Sequence, residues 1–154
     1  MQIRLANLDD IDAIELLWKE MAIFHQSIDP YFTIIPEAEA NHRTYMTALL
    51  QDESKRIFVA DDAGCLLGYL MADVKAYPPI YVHKNYGNIG GISVTASARR
   101  KGVGKKLLGA ALDWFREQEL QRVECGVAVE NMISQGFWKG MGFRGFMEKH
   151  VLDL

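Results

Sequence analysis

The spacing of apolar and polar residues changes several times along this chain, which predicts short strands separated by amphipathic helices. Residues 3–5 predict a first strand, and Asn7 or Asp9 is placed to cap the helix that follows it. Pro36 stands where a second helix would begin, and the pattern of that helix ends near Gln51. The first helix has apolar positions at helical spacing: Ile11, Ile14, Trp18 and Met21.

The middle of the chain predicts three strands. Residues 56–60 and 65–74 are mostly apolar, and the polar and glycine residues at 61–64 predict a tight hairpin between them. Two adjacent prolines then end the second strand, so residues 81–86 are expected to form a polar and aromatic loop that serves as a rim for an acceptor. Residues 89–94 predict a buried strand interrupted by paired glycines, a pattern typical of a bulge or of a close ligand approach.

The last third of the chain predicts a long helix, a strand that includes Cys125, a short helix opened by Asn131, and a final strand from Phe143 onward. The long helix has an apolar stripe made of Val103, Leu107, Leu108, Ala111, Leu112 and Phe115. The predicted order is βααβββαβαβ. It indicates a single α/β (α+β) domain over residues 1–154, with a mixed central β-sheet and helices on both faces.

The segment 99–106 lies between a predicted strand and the long helix, and it places five cations around two glycines. Glycines let the backbone approach an anion closely, and the start of a helix carries about half a positive charge. The segment therefore predicts a phosphate site, although a solvated cationic loop has the same composition.

Two nucleotide motifs do not fit this segment. In the P-loop pattern a glycine should stand at Arg99, and a serine or threonine that binds magnesium should stand at Lys106. In the dinucleotide pattern a third glycine should stand at Leu107. The phosphate site is thus expected to be of another kind.

Charge and cysteine content narrow the function further. The formal net charge is −3, so the basic character is local and favours one compact polyanion over nucleic acid. Cys65 and Cys125 stand in apolar surroundings, which predicts buried free thiols and no disulfide or metal site. The chain shows no signal peptide and no apolar run long enough for a bilayer, so we expect a soluble cytoplasmic protein without a membrane partner.

Two segments of the second half resemble the GNAT superfamily of acyl-CoA-dependent N-acyltransferases. The pyrophosphate loop of that family, Arg/Gln-x-x-Gly-x-Gly/Ala, is matched here by Arg99, Gly102 and Gly104. Residues 131–143 resemble the family segment Asn-x-x-Ala-x-x-(Leu/Phe)-Tyr-x-x-x-Gly-Phe, from which Ser134 and Trp138 depart. The resemblance implies a GNAT-like fold for the whole chain.

The resemblance also implies acetyl-CoA as co-substrate, held between two splayed strands, and no metal. The pantetheine arm would contact the main chain of one strand as though it were an added strand. Asn131 would bond the pantetheine amide region, although an asparagine at this position also suits a helix cap. The implied coenzyme-binding residues are Ile92, Ser93, Val94, Arg99, Arg100, Lys101, Gly102, Val103, Gly104, Lys105, Asn131 and Ser134.

Groups for proton transfer are harder to identify. Trp138 stands where the family commonly has a tyrosine that protonates the leaving thiolate, and an indole is too weak an acid for this role. Gly90 and Gly91 stand where many members have an acidic residue. His83 and Tyr86 are the first candidates, because their loop leads into the proposed thioester strand. Further candidates are His25, Tyr81 and Glu124.

The sequence favours an N-acetyltransferase that moves an acetyl group from acetyl-CoA directly to a primary amine of a small molecule or peptide. The missing tyrosine and acid leave open a catalytically silent acyl-CoA-binding or regulatory domain of the same fold. An unrelated nucleotide-binding protein is the third alternative, and it would respond to ATP with magnesium. No motif specifies the acceptor or the acyl chain length, and a homodimer through the C-terminal strand also stays open.

Overall fold

Five strands form one sheet in the computed structural model, which describes residues 1–154. Their order in the sheet follows their order in the chain. The first four pair antiparallel, whereas the fifth pairs parallel to the fourth, so the predicted mixed sheet is confirmed. The strands are β1 (Gln2–Leu5), β2 (Lys55–Asp62), β3 (Cys65–Ala76), β4 (Asn85–Val94) and β5 (Val123–Cys125).

Four helices cover the two faces of this sheet, as predicted. They are α1 (Ile11–Ile28), α2 (Ala38–Leu50), α3 (Val103–Glu117) and α4 (Met132–Gly140). Because successive strand residues point to opposite faces, Val59 packs beneath α1 and α2 while Phe58 and Ala60 pack beneath α3. The α3 face holds the larger core, which also takes in Trp138 of α4. No helix combines the length and the apolar composition that crossing a membrane requires.

The predicted hairpin joins β2 and β3 through Ala63 and Gly64, whose φ angles are 53° and 87°. Positive φ at both positions of a two-residue loop gives the twist that a hairpin needs. The start of α1 is also close to its prediction. Asn7 accepts a hydrogen bond from the backbone N–H of Asp9 at 2.8 Å and caps the short turn that leads into the helix.

Three expectations are wrong. β4 begins at Asn85, four residues before the predicted start, because its first residues pair with the end of β3. Cys65 is exposed beside the hairpin, although both cysteines are free as predicted. The final strand expected from Phe143 onward is absent, so the observed order is βααβββαβα. The short β5 gives this segment no strand to pair with along its length, and residues 144–154 lie exposed.

Candidate active site

Strands β4 and β5 separate at Ile89. Their parallel ladder joins Gly87–Ile89 to Val123–Cys125 and ends there, whereas β4 continues to Val94. Gly90 is an extra residue at this point, because Ala72 of β3 pairs with Ile89 and the preceding Met71 pairs with Gly91. The bulge that the paired glycines predict is therefore present. Residues 90–94 of β4 have no β5 partner, so their edge is free to bind an extended ligand.

The basic turn lies at the end of this free edge. Arg100 and Gly102 have positive φ angles of 63° and 81°, which turn the chain into α3. None of the backbone N–H groups from Arg100 to Lys105 donates to an acceptor in the protein, and the first helical bond runs from Lys106 N to Gly102 O at 3.1 Å. Unpaired N–H groups at the positive end of a helix make an anion site.

The cations of the turn have two different roles. The Arg99 side chain turns back on the protein, where its Nε donates to the Val94 carbonyl at 3.0 Å and its Nη2 lies 4.0 Å from Glu20 Oε2. Arg99 therefore connects the turn to the end of β4. In contrast, Arg100, Lys101 and Lys105 are exposed, so their charges can reach an anion at the start of α3.

Helix α4 packs against the first turn of α3. A Cβ added to Gly104 would lie 3.2 Å from the Phe137 ring, so the glycine allows a close approach of the two helices. The same Cβ would lie 3.7 Å from Ile92, so this helix contact lies beside the free edge of β4, and α4 begins just after Asn131. There Asn131 is buried, and its Oδ1 accepts the N–H of Ser134 at 3.0 Å. Its role as a helix cap is thus confirmed, while its Nδ2 donates to no protein atom.

Trp138 has a structural position. Its side chain is 6 % exposed, and its ring contacts Phe137 and Phe143 edge to face. The indole N–H donates to Ser134 Oγ at 3.0 Å. Ser134 and Trp138, the two residues that depart from the family segment, are therefore hydrogen-bonded to each other, and the Trp138 ring packs between its aromatic neighbours.

A cleft of about 390 Å³ opens on the face of the sheet that α2 covers, opposite the face that carries α3 and α4. The cleft is lined by Tyr45 and Leu49 of α2 and by Met71 and Asp73 of β3. Its inner end is the end at Gly90, where β4 and β5 separate. This volume lies within the range of small-ligand sites. The cleft therefore meets the free edge of β4 where the strands separate.

A polar row crosses three strands: Asp73 and Asn88 face each other and line the cleft, and Glu124 of β5 lies opposite Asn88, outside the cleft lining. Asp73 Oδ1 accepts a hydrogen bond from Asn88 Nδ2 at 2.6 Å. Glu124 accepts the hydroxyl proton of Tyr77 and pairs with Arg122 at 2.9 Å. The Arg122 guanidinium in turn lies 3.8 Å from the ring centre of Phe146, in the C-terminal segment.

The structure brings together some of the predicted proton-transfer candidates. Tyr86 belongs to β4 and stacks on Tyr77 with ring centres 4.4 Å apart; burial, and then the charges of Glu124 and Asp73, raise its pKa. His83 is exposed in the loop before β4, away from these groups. His25 lies at the end of α1, where burial lowers its pKa.

Sequence reasoning missed two members of the polar row, Asp73 and Asn88. Asp73 is the one charged residue among the ten residues of the predicted strand 65–74, which could have marked it. Asn88 lies between the predicted loop (81–86) and the predicted strand (89–94), so the sequence does not indicate its pairing with β3. No group of three or more His, Cys, Asp or Glu side chains is arranged to hold a metal ion.

Known proteins resemble this chain over nearly its whole length. A curated relative from Archaeoglobus fulgidus, an uncharacterized N-acetyltransferase, is 24% identical over 144 residues, covering 94% of this chain and 93% of that protein. The crystal structure of a mutant of the BH1408 protein from Bacillus halodurans has a TM-score of 0.92 at 20% identity and covers 100% of this chain and 99% of that one. These structures share the fold.

An aminoglycoside N-acetyltransferase solved in complex with CoA has a TM-score of 0.75 at 21% identity, covering 99% of this chain and 98% of that one. The sequence pattern of the Acetyltransferase (GNAT) family matches residues 15–143, which include the cleft, the free edge of β4, the basic turn and α4. The chain therefore belongs to the GNAT family of acetyltransferases and is an acyl-CoA-dependent N-acyltransferase.

Proposed function

We propose that this chain transfers the acetyl group of acetyl-CoA directly to a primary amine of a small molecule or peptide. The main support is the run of unpaired backbone N–H groups from Arg100 to Lys105, which continues the free edge of β4. The N–H groups of residues 102–105 would bind the diphosphate, and Ile92, Ser93 and Val94 would bind the pantetheine arm through their main chain. Arg100, Lys101 and Lys105 would add charge.

The acetyl group would then lie at the inner end of the cleft. In the reaction the acceptor nitrogen bonds to the thioester carbonyl carbon, the C–S bond breaks, and CoA leaves as a thiolate that takes a proton from water to become the thiol. The chain holds the two reactants side by side, and backbone N–H groups at the free edge stabilise the charge that develops on the carbonyl oxygen. No covalent intermediate on the protein is needed.

Proton transfer sets the preference for the amine. The Trp138 N–H is bonded to Ser134, so the thiolate leaves without an acid from α4, which is feasible because a thiol titrates near pH 8.5. Deprotonating a lysine-type amine at pH 7 costs about 4.6 kcal/mol, whereas an α-amine with a pKa near 8 costs about 1.4 kcal/mol. We therefore propose acceptors of low pKa, with the Glu124 carboxylate as the candidate to receive the proton, because the raised pKa of Tyr86 keeps its phenol protonated at pH 7.

The C-terminal segment supports a homodimer. Phe146, Met147, Val151, Leu152 and Leu154 are all exposed, although five large apolar side chains within nine residues normally become buried. We propose that this segment pairs with a second copy of the chain. The exposed free thiol of Cys65 fits a reducing compartment, which supports a cytoplasmic location.

Calorimetric titration and a thiol-release assay test the proposed function. Acetyl-CoA should bind at least about a hundredfold more tightly than acetyl-pantetheine, which lacks the diphosphate. The double variant Lys101→Ala/Lys105→Ala should weaken acetyl-CoA binding roughly tenfold, because it removes two charges beside the phosphate site. Arg116→Ala is the matched control, since it removes a cation from the other end of the same helix.

The outcomes separate the alternatives. Thiol release that depends on a primary amine supports the proposal. Tight acetyl-CoA binding without release on any amine would instead identify a silent acyl-CoA-binding domain. Binding of ATP with magnesium, and not of acetyl-CoA, would overturn the proposal and its phosphate site together.

A further inference from the structure

We propose that Asp73 holds the positively charged amine of the acceptor, an inference that rests on the proposed acetyl transfer. Asp73 lies on the floor of the cleft beside α2, and the inner end of this cleft is Gly90. Its neighbour across the sheet, Asn88, is two residues from Gly90, or about 7 Å along the strand. Asp73 and Gly90 line the same cleft, so the nitrogen that Asp73 holds would be the one that, after it loses its proton, bonds to the acetyl carbon at the free edge of β4.

Asp73 is the carboxylate of this cleft that has no cation as a partner. One of its oxygens accepts from the Asn88 amide, and the other forms no hydrogen bond in the protein. The neighbouring Glu124 differs, because Arg122 lies 2.9 Å away and offsets its charge. A half-buried carboxylate without a counter-ion favours a cationic ligand.

The basic residues nearest to Asp73 are engaged elsewhere. Lys55 Nζ pairs with Asp52 Oδ2 at 3.0 Å. The Arg56 guanidinium lies over the Trp114 ring at 5.5 Å and donates to the carbonyls of Glu53 and Lys55. Neither side chain neutralises Asp73 through an ion pair.

The outer end of the cleft carries a positive charge. Lys75 follows Asp73 by two residues, so both side chains leave the same face of β3, and Lys75 is exposed and lines the cleft. A second ammonium on the acceptor would be repelled there, whereas a neutral or anionic group would be accepted. The cleft therefore favours small amines with one positive charge over polyamines.

Steady-state kinetics of the full chain with benzylamine, glycinamide and spermidine tests this inference. Asp73→Asn keeps the size of the side chain and an oxygen for Asn88, but it removes the charge. We expect a ten- to hundredfold rise in the acceptor KM, roughly the loss of one charge-assisted hydrogen bond, with kcat and the Kd for acetyl-CoA nearly unchanged. Asp73→Glu should restore part of the affinity. Glu53→Gln, an exposed acid outside the cleft, should have no effect.

A second variant tests the outer end. Lys75→Gln should lower the KM for spermidine about fivefold and leave the KM for benzylamine unchanged. An unchanged acceptor KM in Asp73→Asn, with an active wild-type enzyme, would overturn the role of Asp73 and leave acetyl transfer intact. Titration of benzylamine into the CoA-bound wild type gives a readout without turnover. If the wild type and Asp73→Asn bind benzylamine equally in this titration, the inference is overturned. If benzylamine binding depends on Asp73 but the enzyme does not turn over, the result counts against acetyl transfer alone.

Discussion

Tyr69 carries a buried hydroxyl that lowers the stability of the protein. Its side chain is 0 % exposed in the core beneath α1 and α2, and its Oη has no hydrogen-bond partner. Burial also raises its pKa well above the ordinary value, since an anion there would be poorly solvated and would face Glu15. A buried polar group without a partner costs about 1–3 kcal/mol.

Tyr69→Phe should therefore raise the free energy of unfolding by about 1 kcal/mol and the Tm by about 3 °C. Urea and thermal unfolding measure both values. Tyr69→Ala is the control for packing, and it should lower the free energy of unfolding by about 3 kcal/mol, because it leaves a cavity. A loss of stability in Tyr69→Phe would contradict this account.

Single residues also show how far the sequence predicts the site. The glycines and cations of the basic turn could be identified from their spacing, because the conformational freedom of glycine and the charge of a helix start are local properties. Asp73 could not be placed in this way. Its role depends on a partner in another strand and on the end of α2, which a local pattern does not specify.

An ion pair connects β1 to the start of α1. The Arg4 guanidinium donates two hydrogen bonds to Asp10, both at 2.7 Å, and its Nε donates to Asp61 at 2.9 Å. Asp10 is buried and also accepts the backbone N–H of Asn7 at 2.8 Å. The bonds from Arg4 hold the pKa of Asp10 below its ordinary value.

Asp10→Asn should lower the free energy of unfolding by about 2 kcal/mol at pH 7, because Arg4 loses the more buried of its two carboxylate partners. A lowered folded-state pKa gives stability that is present above the unfolded-state pKa and lost as the pH falls through the folded-state pKa. The difference between the variant and the wild type should thus begin to shrink as the pH falls below about 4 in urea unfolding. Asp12→Asn, at an exposed pair with Arg43, is the control and should behave like wild type. A difference that stays constant or grows as the pH falls below about 4 would contradict the proposed linkage.

At the scale of elements, helices were easier to predict than strand ends. The apolar stripe of α3 determines its position, since the stripe packs against the sheet along its whole length. The start of β4 depends on pairing instead. Its first residues pair with the end of β3, although the two prolines between these strands predict an irregular loop. The β-propensity of a segment depends on that segment alone, whereas the length of a strand also depends on the adjacent strands with which it pairs.

At the scale of the whole molecule, the proposed homodimer depends on the C-terminal segment. Residues 144–154 belong to no helix or strand, and their apolar side chains are exposed. Deleting residues 147–154 should convert a dimer to a monomer, because it removes most of that apolar surface while the sheet and both cores remain. Light scattering after gel filtration measures the mass.

A point variant checks that result without shortening the chain. Leu152→Asp should also give a monomer, since a charge cannot be buried in the contact without a partner. Lys149→Gln is the control, because it alters the same exposed segment without adding a charge to bury. A full-length chain that stays monomeric at high concentration would contradict the proposal.

The general architecture followed from the sequence. One mixed sheet with helices on both faces, the order of the elements up to α4, and the family could all be predicted, because each depends on patterns within the chain. The last strand could not. The segment contains apolar residues, but a strand also needs a backbone beside it, and β5 has only three residues.

Arg122 contacts both Phe146 of the C-terminal segment and Glu124 of the polar row beside the cleft. One guanidinium therefore connects the C-terminal segment to the polar row, two surfaces that could otherwise evolve independently. In a homologue with a different C-terminal segment, Arg122 would lose its contact with Phe146, and its pairing with Glu124 would change as well. The proposed subunit contact and the proposed amine preference are therefore expected to change together in evolution.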